Sequence, residues 1–308
     1  MALIPRTDID VFGLCLGGNV FGWTADREAS FAVLDAYAAA GGNFIDTADV
    51  YMAKAPGNSG GESETIIGEW LAARGNRDAI VIATKVGKLA GLDNLRAATI
   101  HRAAEDSLRR LGVDHIDLYY SHGDDPTTPL EETLGAFDEL IRAGKVRAIA
   151  ASNYSGARLA EALAVSAREG LPRFAALQPH YNLLERDYES DEGPVCARED
   201  VACFPYYGLA HGFLTGKYRP GGEGIDSPRA ASAGQYLDAR GERMLAALDE
   251  IAAAHDTEPA AVALAWLREQ DTVLAPIASA RNAEQLRPLI ASVELELSDG
   301  ELGELTAI

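Results

Sequence analysis

The feature that most restricts how this chain can fold is an end-to-end alternation of short β-rich runs with longer stretches whose apolar residues recur at three- and four-residue spacing. Eight runs read as strands: Gly13–Gly17, Asn43–Asp46, Ile80–Lys85, Ile116–Ser121, Ala148–Ser152, Ala175–Gln178, Ala202–Tyr206 and Val273–Ile277. Between them the periodicity predicts helices such as Arg27–Ala40, Glu64–Ala73, Leu95–Leu111, Leu130–Ala143 and Arg158–Glu169, several of them stopped by a glycine. Two more, around Gly241–Ala254 and Pro259–Arg268, precede the last strand, one helix beyond what a minimal barrel requires. Strands that alternate with helices pair in parallel through helical crossovers, so the chain is of the α/β class.

Two architectures share this pattern. An open doubly wound sheet that binds dinucleotides carries GxGxxG after its first strand, and Gly13-Leu14-Cys15-Leu16-Gly17-Gly18-Asn19 lacks that spacing. Eight repeats without a reversal point favour closure into a (β/α)8 TIM barrel, and 308 residues suit one. No composition shift or linker divides the chain, so a single domain over 1–308 is expected. The segment Arg219–Gly234, rich in Gly, Ser, Pro and Ala, is expected to form a long lid loop above the strand ends.

A formal charge of −20 disfavours nucleic acid and anionic membranes as partners, and requires a local basic pocket for any anionic ligand. No apolar run approaches the roughly 18 residues of a membrane span, and Met1–Asp10 lacks the apolar segment of a secretory signal. Cys15, Cys196 and Cys203 form no CxxC pair, which points to reduced thiols and a cytoplasmic location. The six histidines show no HxxxH or HExxH spacing, so no metal is expected. A monomer or weak homo-oligomer is expected.

Four polar side chains fall at or just beyond strand ends: Asp46, Tyr51, Lys85 and His122. In a barrel those ends converge on one face, so residues far apart in sequence share a pocket. A phenol is a poor acid at neutral pH, and an adjacent ammonium favours its phenolate. Lys85 can supply that ammonium with Asp46 holding it, and a neutral His122 can donate a hydrogen bond to a carbonyl oxygen. Singly, each has an ordinary reading as a cap, a solvated lysine, a loop aromatic or a satisfied polar group.

Their flanks carry more. The stretch Asn43-Phe44-Ile45-Asp46-Thr47-Ala48-Asp49-Val50-Tyr51, followed by Gly61-Glu62-Ser63-Glu64 and Ile67-Gly68, resembles the signature of the aldo-keto reductase family, in its branch of bacterial aryl-alcohol dehydrogenases and potassium-channel β subunits. Ala83-Thr84-Lys85, Ile116-Asp117-Leu118-Tyr119 through His122, Ser152-Asn153-Tyr154 and Leu214-Thr215-Gly216-Lys217-Tyr218 match later blocks in order, and the similarity runs from about Gly13 to Leu286.

The resemblance implies an enzyme that reduces aldehyde or ketone carbonyls with NADP(H), with Tyr51 as general acid, Lys85 lowering its pKa, Asp46 paired with Lys85, and His122 orienting the carbonyl. It further implies that Ser152, Asn153 and Gln178 hold the nicotinamide carboxamide, that Tyr206 stacks on its ring, and that Leu209, Gly212 and Lys217 hold the pyrophosphate. Ser279, Arg281 and Gln285 clamp the adenosine end, and a guanidinium at Arg281 suits a 2′-phosphate. His211 is expected near the cofactor. Relatives often have Ser-Pro after the stacking aromatic, where Tyr207-Gly208 stand here; after Gln285 they commonly have Glu-Asn, where Pro288-Leu289 stand. Trp23, Met52 and Lys54 are expected at the substrate mouth, beside Tyr51 and His122, for an aromatic or sugar-derived small-molecule carbonyl. The alternative is a nucleotide-binding scaffold subunit of the same fold; His122, where those subunits have Asn, favours the enzyme.

Overall fold

A computed structural model describes every residue except 220 and 222–226. The N-terminal segment forms an antiparallel hairpin, β1 (Ala2–Leu3) with β2 (Asp10–Val11). Two-residue strands show no alternation, and the periodicity above does not register them.

The strands that build the sheet are β3 (Cys15–Gly17), β4 (Phe44–Asp46), β5 (Val81–Val86), β6 (Ile116–Ser121), β7 (Val146–Ser152), β8 (Ala176–Gln178), β9 (Ala202–Cys203) and β10 (Ile277–Ala278). They pair in parallel in the order β10-β3-β4-β5-β6-β7-β8-β9. The two ends are joined as well: the amide of Cys203 donates to Thr272 O at 2.8 Å, and that of Ile277 to Pro205 O at 2.9 Å. The chain is therefore a (β/α)8 fold. The last two strands are shorter than the sequence pattern predicts, or displaced from it, because Pro205 and Pro276 have no N–H to give to a ladder. Their neighbours still bond across, Tyr206 N to Pro179 O at 2.9 Å and Cys15 N to Pro276 O at 3.0 Å.

The crossovers are α1 (Arg27–Ala39), α2 (Glu62–Arg74), α3 (Ala97–Leu111), α4 (Leu130–Arg142), α5 (Gly156–Glu169) and α6 (Glu192–Glu199). Asp26 caps α1 by accepting from the amide of Ala29, and Gly112 ends α3 in the left-handed conformation. A short helix, α7 (Ala230–Gly234), occupies the end of the segment read as a lid loop, so that part is helical; residues 220 and 222–226 of it lie outside the described residues. Then come α8 (Ala239–Ala254), α9 (Pro259–Arg268), α10 (Ala283–Ala291) and α11 (Asp299–Ala307).

Two apolar layers hold this together. Between sheet and helices lie Leu16, Val33, Ile45, Ile82, Ile149, Leu177 and Trp266, all buried. Inside the barrel lie Phe44, Leu118, Tyr120, Ala150 and Phe204, and the hairpin residues Ile4, Ile9 and Val11 join the same cluster. Phe44 and Phe204 meet edge to face at 4.9 Å. The interior is filled from the hairpin's side, which leaves the C-terminal strand ends free to form a site. Among the described residues, no helix is long and apolar enough to cross a membrane.

Candidate active site

At the C-terminal ends of the strands lies a cavity of about 420 Å³, walled by Gly17, Asp46, Ser152, Gln178 and Ala278 from five different strands. Asp46 lines it and Lys85 lies buried behind Asp46, 1% and 0% exposed. The Lys85 ammonium donates to Asp46 Oδ1 at 2.6 Å, to Thr47 O at 2.7 Å and to Tyr51 Oη at 2.6 Å. Tyr51 in turn donates to Asp46 Oδ2 at 2.6 Å, and Gln178 Nε2 donates to Asp46 Oδ1 at 2.8 Å. A lysine is rarely buried without a partner; here all three of its donors are used.

Tyr51 is carried by a loop that the flanking motif braces. Thr47 Oγ1 donates to Ser63 Oγ and Ser63 Oγ to Gly18 O, each at 2.8 Å. Glu64, fully buried, accepts from Thr84 and Arg110 at 2.6 Å each. Gly60 closes the loop at φ 104°, where a β-carbon would lie 2.7 Å from Asp49 O. The residues of the second block, Gly61 to Glu64, thus hold the loop rather than line the cavity.

Burial first, and the Asp46 carboxylate second, push the Tyr51 phenol well above its ordinary value. The net direction is opposite to that expected of an ammonium neighbour alone, and it keeps the phenol protonated. Burial pulls Lys85 down against Asp46, which pulls it up. His122 is pushed well down by burial, then by Lys85 and Lys88, so its imidazole is neutral. Its ring meets that of Tyr51 edge to face at 6.0 Å, and its buried Nδ1 has no hydrogen-bond partner.

The residues expected to hold a cofactor, Ser152, Asn153, Gln178, Tyr206, Leu209, Gly212, Lys217, Ser279, Arg281 and Gln285, all line the same cavity. Several bond to one another: Asn153 Nδ2 donates to His122 O at 2.8 Å, Tyr206 Oη donates to Asn153 Oδ1 at 2.8 Å, and Ser152 Oγ donates to Gln178 O at 3.0 Å. Tyr206 stacks on His180, with centroids 5.3 Å apart and planes 12° from parallel. Trp23 is on the wall; Met52 and Lys54 are not among the lining residues, and Lys54 is exposed. Their loop turns away after Tyr51, with Met52 at φ 55°.

Sequence reasoning missed Arg229, Lys88, Asn19 and Tyr207, which also line the wall. Arg229 was hidden in the Gly- and Pro-rich stretch. It stands near Lys217 and Arg281: the two arginines pull the Lys217 ammonium down, after burial, and Arg281 opposes the charge on Arg229. Among the described residues, none of these three cations has a carboxylate within ion-pair distance. Tyr207 and His211 adopt φ of 54° and 58°, left-handed for bulky residues, and lie 3.9 Å apart ring to ring. Such strain gathers at functional sites.

Comparison with known proteins agrees with this arrangement. The model of the "Aldo/keto reductase family" matches residues 13–308. Protein tas of Escherichia coli is 33% identical over 99% of this chain and 96% of its own length. Norsolorinic acid reductase of Emericella nidulans is 34% identical over 98% of this chain and 79% of its own, and an uncharacterized oxidoreductase, YrpG, of Bacillus subtilis is 33% identical over 96% and 91%. The chain belongs to the aldo/keto reductase family.

Proposed function

We propose that this protein is an NADP(H)-dependent reductase of aldehyde or ketone carbonyls in which Tyr51 donates the proton. One observation carries the reading: Lys85 Nζ and Asp46 Oδ2 each lie 2.6 Å from Tyr51 Oη, at the wall of a cavity that also includes three cations without a carboxylate partner among the described residues.

The residues present fit the cofactor. Gly17 leaves a cradle that a β-carbon would fill, 2.5 Å from Ser279 Oγ. Lys217, Arg229 and Arg281 offer positive charge for phosphates in a chain of net charge −20, and Arg281 has a planar fork suited to a 2′-phosphate. Tyr206 presents the face that His180 does not cover, and Ser152, Asn153 and Gln178 bring amide and hydroxyl groups for a carboxamide. When bound, the cofactor supplies the hydride.

The chain's own residues do the rest. Neutral His122 donates to the carbonyl oxygen and adds no charge that would oppose proton transfer. Tyr51 turns its O–H from Asp46 toward that oxygen and releases the proton from Oη as the carbonyl carbon is reduced. The Lys85 ammonium, already hydrogen-bonded to Oη, stabilises the phenolate left behind, and Asp46 keeps Lys85 charged in a site where burial alone would neutralise it. Neutral His122 on the cavity wall, where the scaffold subunits have Asn, favours the enzyme over that alternative. Relatives named norsolorinic acid reductase and aryl-alcohol dehydrogenase support an aromatic carbonyl as substrate, and Trp23 supplies an aromatic wall. A cytoplasmic location is in keeping with three buried free cysteines. Purified protein should oxidise NADPH when given 4-nitrobenzaldehyde; no oxidation with any aromatic aldehyde would sink the reading.

A further inference from the structure

Lys217, Arg229 and Arg281 form one positive zone, each within electrostatic reach of another. A fourth cation, Lys88, stands apart from them. It follows β5 by two residues and lines the cavity wall together with Tyr51 and His122. Its side chain lies against the backbone immediately after His122: a β-carbon on Gly123 would meet Lys88 Cε at 3.1 Å and Nζ at 3.8 Å. Its charged neighbour is Lys85 of the proton-transfer site, and it in turn disfavours a charge on His122; none of the three cations above acts on it.

Nothing in the described protein balances this ammonium. No carboxylate of the described residues lies within ion-pair distance, and no described acceptor bonds it. The chain has 47 acidic residues and only five lysines, so a lysine left unpaired beside another lysine is not a product of surplus. Partial burial and Lys85 both draw its charge down. A second cation beside Lys85 also works against the charged state that Lys85 needs, a cost that an incoming anion offsets.

Resting on the reductase reading above, we infer that Lys88 binds a carboxylate on the substrate, so that the preferred substrates are carbonyl compounds bearing an acid group. A single ammonium is a compact point charge and matches a monoanion. A phosphate dianion is more often held by a bidentate guanidinium or several donors.

The test compares 4-carboxybenzaldehyde with its neutral methyl ester, methyl 4-formylbenzoate, using NADPH and the full chain. The readout is the ratio of kcat/KM for acid over ester. A charge-assisted hydrogen bond makes that ratio about 10 or more in the wild type. Lys88→Met should bring it to about 1, mainly through KM for the acid, while Lys88→Arg should keep most of the preference. High salt should narrow the wild-type ratio, because the ammonium is exposed at the rim. A ratio that Lys88→Met leaves unchanged overturns the inference while the reductase reading stands. Reduction of neither aldehyde overturns both.

Discussion

Lys85 Nζ lies 2.6 Å from Tyr51 Oη across 34 residues of sequence, and the Asp46 carboxylate touches both. Each group alone would be costly at this depth, and together they satisfy one another's hydrogen bonds. The consequences for pH, stability and cofactor choice can each be measured.

The pH profile follows from two opposite shifts. Tyr51 must be protonated to act and is pushed well above 10, and the Lys85 ammonium that its phenolate needs is drawn by burial below its ordinary 10.5, so the alkaline loss follows whichever of the two gives up its proton first. His122 must be neutral and is pushed well below 6.5, so activity is lost only as pH falls through that low value. Aldehyde reduction should therefore show kcat/KM nearly flat from about pH 6.5 to about pH 9. An alkaline limb with a midpoint near neutrality would contradict the assignment of the acid.

Removing one member of the buried pair should be worse than removing both. Lys85→Met leaves the Asp46 carboxylate buried without its cation, at a cost of about 3–5 kcal/mol. The double variant Lys85→Met, Asp46→Leu should recover part of that loss. Thermal unfolding of the three proteins checks this, and additive losses would contradict it.

Asp49 offers a second pH test. Both its carboxylate oxygens are buried without partners, and burial, then Glu64, push its carboxyl up to about 7. In the unfolded chain it titrates near 3.9. The folded state thus holds the extra proton between those values, and stability falls as pH rises from about 4 to about 7. Asp49→Asn removes that ionisation cost and should stabilise the protein by up to roughly 4 kcal/mol at pH 8, with little gain at pH 4. An equal change at both pH values would show that the carboxyl does not titrate as described.

For the cofactor, Arg281→Ala should raise the Kd for NADPH by about 10- to 100-fold, the loss of a charge-assisted contact, and leave NADH within about threefold. Protein fluorescence titration measures both. Equal weakening of the two nucleotides would remove Arg281 from the 2′-phosphate.

Much of this was legible beforehand for identifiable reasons. Most of the barrel strands announce themselves because they are almost wholly buried and read as short β-rich runs. What sequence could not give is what depends on long-range closure. Pro205 and Pro276 trim the last strands, and the Ala2–Leu3 hairpin is too short to show a period. In the site, Asp46, Tyr51 and Lys85 were legible through flanking motifs. Met52 and Lys54, expected at the mouth, do not line the cavity; Met52 takes a left-handed turn that periodicity does not encode. Lys88 and Arg229 carry no motif and acquire meaning only from where the barrel brings them.

The most direct test of the central claim is the single-turnover rate of NADPH oxidation by 4-nitrobenzaldehyde in wild type and Tyr51→Phe, with NADPH affinity measured on the same preparations. The phenylalanine keeps the ring and removes only the proton donor, so the rate should fall by about 10²–10⁴-fold while Kd stays within about twofold. A variant that reduces the aldehyde within about tenfold of the wild-type rate would show that Tyr51 is not the acid.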